Sequence, residues 1–197
     1  MQLQADFVLA SASPRRADLL RQIGCRFRVA PVDVDESVIP GESAVDYVQR
    51  IALQKAHTGW LASPFSDLPV LGADTAVVVG SDIFGKPADR GQALSMLHRL
   101  SGTTHRVLST VAMVGGGRQL LRCSETRVTF RSLSTEECER YWQTGEPADK
   151  AGAYAIQGLG GVFVTAIQGS YSSVVGLPLA ETCQLLQAFD IPWWRET

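Results

Sequence analysis

The stretch LASASPRRADLLRQIG, from Leu9 to Gly24, predicts the end of a strand, a tight turn and then a helix. Ser13 suits the N-cap of that helix, Pro14 suits its first position and Gly24 suits the position after its end. Leucine and isoleucine recur between them at helical spacing, which predicts one apolar face. A strand followed directly by an amphipathic helix is typical of an α/β protein.

The first turn of this helix carries two arginines, Arg15 and Arg16. A cation at the positive end of a helix dipole costs about 0.3–1 kcal/mol, so Arg16→Ala is expected to cost the free protein little stability. Helix N-termini bind anions, and arginine grips phosphate oxygens in a bidentate manner. The small residues 10–13 would let a ligand approach the backbone. The stretch alone leaves two interpretations open, namely a polyphosphate site and two solvated surface arginines.

Outward from this stretch, apolar strands alternate with amphipathic helices. Strands are predicted at 6–10, 27–32, 68–79, 104–114, 118–133 and 162–168, with a hairpin return at 80–87 and an extended segment at 170–176. Helices are predicted at 44–62, 89–100 and 134–145, and from residue 178 onward. The pattern predicts an α/β fold with a mixed sheet flanked by helices. The absence of a repeat or linker predicts one domain over residues 1–197.

Composition excludes several classes of protein. The net charge of −2 gives no overall attraction to nucleic acid or to an anionic membrane. The sequence has no apolar run of membrane-spanning length and no signal-peptide pattern, so we expect a cytoplasmic protein without nucleic-acid or membrane partners. The four cysteines are scattered singly and predict reduced thiols. The three histidines are equally isolated and are interpreted as helix-surface or strand residues rather than a catalytic set.

A second group of residues carries possible chemistry. Asp74 lies in the apolar run LGADTAVVV, where a buried carboxylate needs a partner or a metal, unless it bonds a neighbouring turn at a strand end. Lys55 lies near the apolar side of a helix, Lys86 lies in a turn, and Glu36 lies in an acidic loop. Each would be ordinary alone. With the two arginines they supply the cations and carboxylates of metal-assisted phosphoryl transfer, although the chain has no P-loop and no dinucleotide-binding glycine motif.

Six ordered segments resemble the Maf-like nucleoside triphosphate pyrophosphatases. They are LASASPRRADLLRQIG, VDESVIPGESAVDYVQRIALQKA, LGADTAVVV, GKPADRGQALSMLHRLSGTTH, DKAGAYAIQG and GSYSSVVGLPL. The resemblance implies a fold like that of the inosine triphosphate pyrophosphatases, with an elongated mixed sheet and two lobes around a central cleft. It also implies hydrolysis of a nucleoside triphosphate to the monophosphate and pyrophosphate, dependence on Mg²⁺ or Mn²⁺, and a homodimer.

The resemblance assigns roles to residues of this chain. Asp74 matches the catalytic aspartate, the proton acceptor for the attacking water, and Asp74 and Glu36 would hold the metal. Lys55 and Lys86 match catalytic lysines that face the triphosphate. The remaining positions, which would bind substrate or line the cleft, are Ser11, Arg16, Asp149 and Lys150.

Three positions indicate the branch of the family. Arg15, Thr75 and Gln157 resemble the branch that acts on dTTP and UTP, whereas the branch that acts on 7-methyl-GTP has other residues there. An amide such as that of Gln157 offers a donor and an acceptor to a pyrimidine edge. Two alternatives stay open: a 7-methyl-GTP pyrophosphatase, and a nucleotide-responsive regulatory binding protein linked to septum formation.

Overall fold

The computed structural model describes residues 5–63 and 68–195. Its seven strands are β1 (Phe7–Leu9), β2 (Phe27–Val29), β3 (Val70–Val79), β4 (Asp82–Phe84), β5 (Thr104–Gly115), β6 (Arg118–Phe130) and β7 (Val164–Gln168). Its six α-helices are α1 (Pro14–Gln22), α2 (Ala44–Ala62), α3 (Arg90–Leu100), α4 (Thr135–Gln143), α5 (Tyr171–Val175) and α6 (Leu179–Ala188). Short 3₁₀ turns occupy Glu146–Asp149, Ala151–Ala153 and Leu159–Phe163.

The strands form one mixed sheet in the order β2-β1-β3-β5-β6-β7, with β4 paired to β3. β1 runs parallel to β2 and β3, whereas β3, β5, β6 and β7 are successively antiparallel. The long β5–β6 hairpin turns at Gly116 and Gly117, both with positive φ, as a tight hairpin turn requires. The predicted α/β class with a mixed sheet is confirmed.

The middle of β3 is open on one side. β1 pairs with β3 only at Val70 and Leu71, and β4 pairs with it only from Val77 to Val79. Between these two short partners, no described strand covers that edge of β3. Asp74 lies in this opening.

Helix α2 lies directly on β3 because Gly72 has no side chain. A Cβ atom at Gly72 would clash with the backbone of Ala52 and Ala56 in α2. Lys55 lies between these alanines, and Asp74 points to the same face of the strand as Gly72, two residues away. The close approach of helix and strand therefore brings Lys55 and Asp74 together.

The buried side chains form separate clusters toward the two ends of the sheet. One cluster packs α1 and α6 on the strands around Leu71 and Met113. Another packs α3, α4 and the 3₁₀ turns around Val128 and Phe130. The opening in β3 lies between Leu71, which belongs to the first cluster, and Val77, which belongs to the second.

Several sequence-based boundaries were wrong. The segment expected to be extended at 170–176 contains the short helix α5, because the Ser170 hydroxyl accepts a hydrogen bond from the Ser173 N–H and caps it. The strand predicted at 27–32 ends at Val29, before Pro31, which cannot donate to a ladder. The last strand begins at Val164, after a glycine-containing 3₁₀ turn.

None of the helices in the described parts of the chain has the length and apolar composition needed to cross a membrane. The four cysteines are free thiols, as expected. A single domain over residues 1–197 remains a prediction.

Candidate active site

A cavity of about 440 Å³ fills the opening beside β3. Its walls are the first turn of α1, the acidic loop before α2, the middle of β3, the turn after β4 and the segments around residues 150–157 and 174–176. All the residues predicted for the site line it: Ser11, Arg15, Arg16, Glu36, Lys55, Asp74, Thr75, Lys86, Asp149, Lys150 and Gln157. Segments scattered along the chain thus converge on one space.

Lys55 joins the two carboxylates of the site. Its Nζ lies 2.9 Å from Asp74 Oδ1 and 2.6 Å from Glu36 Oε1. Lys55 and Asp74 are buried, with 9% and 6% of their surfaces exposed, whereas the Glu36 side chain is about half exposed. Asp74 lies in the middle of β3 and not at its end. The interpretation of Asp74 as a strand-end residue bonded to a turn is therefore wrong.

The two carboxylates have opposite electrostatic environments. Burial raises the pKa of Asp74, against the opposing effects of Lys55 and Arg16. Burial also acts to raise the pKa of Glu36, but the hydrogen bond and charge of Lys55, with the charge of Lys86, outweigh it and lower that pKa. Glu36 is held as an anion, while Asp74 has an increased affinity for a proton.

Arg16 is buried and donates three of its five N–H groups to protein acceptors. Its Nε donates to the Gly176 carbonyl at 2.9 Å, and its Nη atoms donate to the hydroxyls of Ser11 at 3.1 Å and Thr75 at 3.4 Å. Burial lowers the pKa of its guanidinium, although Asp74 opposes the shift. The interpretation of Arg16 as a solvated surface residue is therefore wrong. Arg15 differs, because it is partly exposed and forms an ion pair with Asp149 at 3.2 Å.

The remaining predicted residues lie nearer the mouth of the cavity. Asp149 contacts both Arg15 and the Nζ of Lys150, so it connects the first turn of α1 to the opposite wall. Lys86 and Gln157 are exposed and line the cavity from two different loops. The mouth thus has several more exposed charged or amide groups, whereas the floor has the buried set of Lys55, Asp74 and Arg16.

The family model for Maf-like proteins matches residues 6–189, a range that includes every predicted site residue. The chain belongs to the Maf family. The curated proteins include a dTTP/UTP pyrophosphatase of Hahella chejuensis that is 54% identical over 96% of this chain and 94% of its own length. Proteins of the same name from Saccharophagus degradans and Pseudoalteromonas translucida are 52% and 54% identical, over 97% and 92% of this chain and 92% and 95% of their own lengths.

The site of this Maf protein has the oxygen donors that a hard divalent cation prefers. Glu36 and Asp74 both contact the Nζ of Lys55, and within the described residues no group of three His, Cys, Asp or Glu side chains could hold a metal alone. Mg²⁺ is commonly bound by one or two carboxylates together with substrate phosphates and water. The two carboxylates fit a cation that arrives with a triphosphate better than they fit a closed protein-only site.

Sequence reasoning missed several residues of the site. The Tyr47 hydroxyl donates to the Glu36 carbonyl at 3.0 Å and so fixes the acidic loop over the cavity. Tyr47 lies two helical turns before Lys55 on α2, and that spacing could have revealed it. Ser109 was also missed: its hydroxyl lies 2.7 Å from that of Thr75 and donates to the Ser173 carbonyl at 2.7 Å. Only the pairing of β3 with β5 places Ser109 there.

Proposed function

We propose that the protein hydrolyses dTTP and UTP to the nucleoside monophosphate and pyrophosphate. The observation that supports this most strongly is the buried Asp74–Lys55 pair, with the half-exposed Glu36 on the same Lys55 Nζ and the buried Arg16 in the same open cavity. A carboxylate with a raised pKa among cations supplies a proton acceptor and charge for a phosphate chain. The full-length similarity to proteins named dTTP/UTP pyrophosphatase supports the substrate class.

In this proposal the triphosphate lies against the N-terminus of α1. The backbone N–H groups of its first turn and the dipole favour an anion there. Ser13 occupies the N-cap position, but its side chain makes no capping hydrogen bond. Arg16 is held in place by Ser11 and Gly176 before any ligand arrives, and its charge therefore costs little reorganisation on binding.

Asp74 then accepts a proton from the water that attacks the α-phosphorus atom, and the bond to the bridging oxygen of the β-phosphate breaks. A base is most effective when its pKa approaches the working pH, which agrees with the upward shift of the Asp74 pKa. Lys55 orients this carboxylate and compensates its charge. Lys86, at the mouth, would neutralise the departing pyrophosphate.

We propose further that the reaction uses Mg²⁺ or Mn²⁺ held by Glu36 and Asp74. When bound, such a cation neutralises charge on the phosphate oxygens and on the leaving group. The protein's own contribution is to hold two carboxylates beside Lys55 at the open edge of β3.

Base selection is proposed to take place at the mouth. Gln157 can donate to and accept from one pyrimidine edge, and a mismatched base leaves polar groups unpaired at about 1–3 kcal/mol each. The buried Asp74–Lys55 pair favours an enzyme over a regulatory binding protein, because a binder needs no proton acceptor. A cytoplasmic location and a homodimer are also proposals.

One assay tests the proposal directly. Pyrophosphate release would be measured for dTTP, UTP, the purine triphosphates and 7-methyl-GTP, each with Mg²⁺, Mn²⁺ or a chelator. We expect the highest kcat/KM for dTTP and UTP, and no turnover with the chelator. Equal activity on 7-methyl-GTP would overturn the substrate assignment, and release of single phosphates would overturn the reaction.

A further inference from the structure

Gln157 belongs to a short segment, residues 155–160, that is held from behind by two side chains. Tyr141 on α4 accepts a hydrogen bond from the Ala155 N–H at 3.0 Å and donates to Glu146 Oε1 at 2.7 Å. Glu146 in turn accepts from the N–H groups of Leu159 at 3.0 Å and Gly160 at 2.9 Å. Both flanks of the segment are thus fixed by one hydrogen-bonded pair.

The segment is pressed against this pair. A Cβ atom at Gly158 would overlap the Glu146 carboxylate, and one at Gly160 would lie 2.5 Å from the Tyr141 hydroxyl oxygen. Two glycines therefore permit the contact, and neither flank has room to shift toward the pair. A turn closed by the hydrogen bond from the Gly158 N–H to the Ala155 carbonyl, at 3.2 Å, presents Gln157 at its apex.

The Gln157 side chain is exposed, so its own packing does little to fix it. Its position in the cavity wall is decided by the backbone on each side. The backbone carbonyl of Glu146 also accepts a hydrogen bond from Lys150 Nζ at 3.2 Å. Lys150 lines the mouth of the cavity as well. Glu146 therefore contacts two parts of the cavity wall without lining the cavity.

The carboxylate form of Glu146 is what this geometry requires. Burial acts to raise its pKa, but the bonds from Tyr141, Gly160 and Leu159 outweigh burial and lower it. Three donors share two carboxylate oxygens. A glutamine has one acceptor oxygen and two N–H donors, so it would leave at least one donor facing an amide N–H.

We propose that Glu146 and Tyr141 are positioning residues that set nucleobase selectivity by fixing the segment that carries Gln157. This inference rests on the proposed function. The inference extends the proposed function, because Glu146 and Tyr141 do not line the cavity. They would affect selectivity indirectly, through the position of Gln157. The phosphate end of the site, built on α1, α2 and β3, does not depend on this pair.

The test compares Glu146→Gln and Tyr141→Phe with the wild type and with Glu137→Gln as a matched control. Glu137 also accepts three hydrogen bonds, two from Arg131 and one from the Ser134 N–H, but it caps α4 away from the cavity. Tyr141→Phe keeps the ring that packs on Phe163 and so provides a conservative second variant. For each protein, kcat and KM are measured with dTTP and with dGTP.

We expect the ratio of kcat/KM for dTTP over dGTP to fall about tenfold in both variants, as loss of one good hydrogen bond would produce. The fall is expected in KM for dTTP, with kcat within about threefold of the wild type. Glu137→Gln is expected to lower the melting temperature and leave the ratio unchanged. Equal falls of kcat for both nucleotides, or an unchanged ratio in folded Tyr141→Phe, would overturn the inference.

Amide hydrogen exchange without nucleotide gives a readout that does not depend on activity. Exchange is expected to quicken at the Leu159 and Gly160 amides in Glu146→Gln and at Ala155 in Tyr141→Phe. If the wild type releases no pyrophosphate, the proposed function fails and the selectivity role fails with it. If the wild type prefers dTTP and exchange quickens with no change of the ratio, only the positioning role is overturned.

Discussion

The protein buries ionisable side chains in two regions that differ in the charged partners they provide. In the cavity floor Lys55 and Asp74 form an ion pair, and Arg16 lines the same cavity, which is open to a ligand. In the aromatic cluster between β5 and the 3₁₀ turns, His105 is buried and its Nε2 lies 2.9 Å from the Tyr154 hydroxyl. The rings of His105 and Phe130 meet edge to face at 5.0 Å.

The difference lies in what burial does to the charge. In the aromatic cluster burial lowers the pKa of His105 to about 4, so the imidazole is neutral at neutral pH. In the cavity burial also raises the pKa of Asp74 and lowers that of Arg16, but oppositely charged neighbours act against both shifts. Charged groups in the cavity can interact with a charged substrate. The neutral imidazole of His105 contributes only to packing and to one hydrogen bond. A buried ionisable side chain with oppositely charged neighbours is thus a better candidate for a functional role than one without them.

The largest effect is expected for Asp74→Asn. Loss of a positioned base costs about 10²–10⁴-fold in rate, so kcat should fall by that factor. The melting temperature should stay the same or rise, because a carboxylate with a raised pKa is no longer buried. Turnover and thermal unfolding are measured together, with Asp82→Asn, a surface aspartate paired with Arg99, as the control. Normal turnover in a folded variant would remove Asp74 from the mechanism.

The second prediction concerns the aromatic cluster. The unfolded chain binds a proton at His105 near pH 6.5, while the folded protein does so only near pH 4. Stability should therefore be complete above pH 6.5 and fall as the pH drops toward 4, by about 3 kcal/mol from this group. His105→Phe should flatten that part of the melting curve against pH. The exposed His98→Gln should not, and an equal slope in His105→Phe would contradict the assignment.

The third prediction is for Arg16→Ala. The dipole argument from the sequence expects little loss of stability, but the structure gives this side chain two buried hydrogen bonds and a partly buried one. We expect the free energy of unfolding to fall by about 1–3 kcal/mol and KM for the triphosphate to rise about tenfold or more. Thermal melting and steady-state kinetics check both parts, with the exposed Arg90→Ala as the control. A normal KM would show that Arg16 is structural only.

The smallest effect is expected for Gln157→Glu. A carboxylate accepts but does not donate, so kcat/KM for dTTP and UTP should fall about tenfold. Because this side chain is exposed, the melting temperature should not change. Comparison with Gln92→Glu at the start of α3 separates a local effect from added charge. If the Gln157→Glu variant kept the same preference for pyrimidine triphosphates, Gln157 would not be the residue that selects the base.

Much of the fold was predictable because its signals are local. The helix predicted at 44–62 is α2, and the helices predicted to begin near 89 and 134 are capped by the side chains of Asp89 and Ser134. Helix α5 was not predictable in the same way, because a helix of five residues is too short to show a periodic apolar face. The residues named through the family resemblance all line one cavity, whereas Tyr47 and Ser109 were missed, although Tyr47 lies within one of the quoted segments.

The sequence by itself indicated which residues line the cavity, because short motifs with charged side chains in apolar or turn-rich settings are visible without coordinates. It also determined the α/β class, since hydrophobic periodicity is a property of each segment. Only the tertiary structure decided which of two neighbouring arginines is buried, because Arg15 and Arg16 share a turn and differ only in the direction they face. It alone decided that Lys55 meets both Asp74 and Glu36, since that contact depends on the approach of α2 over Gly72 and on the gap between β1 and β4 along β3.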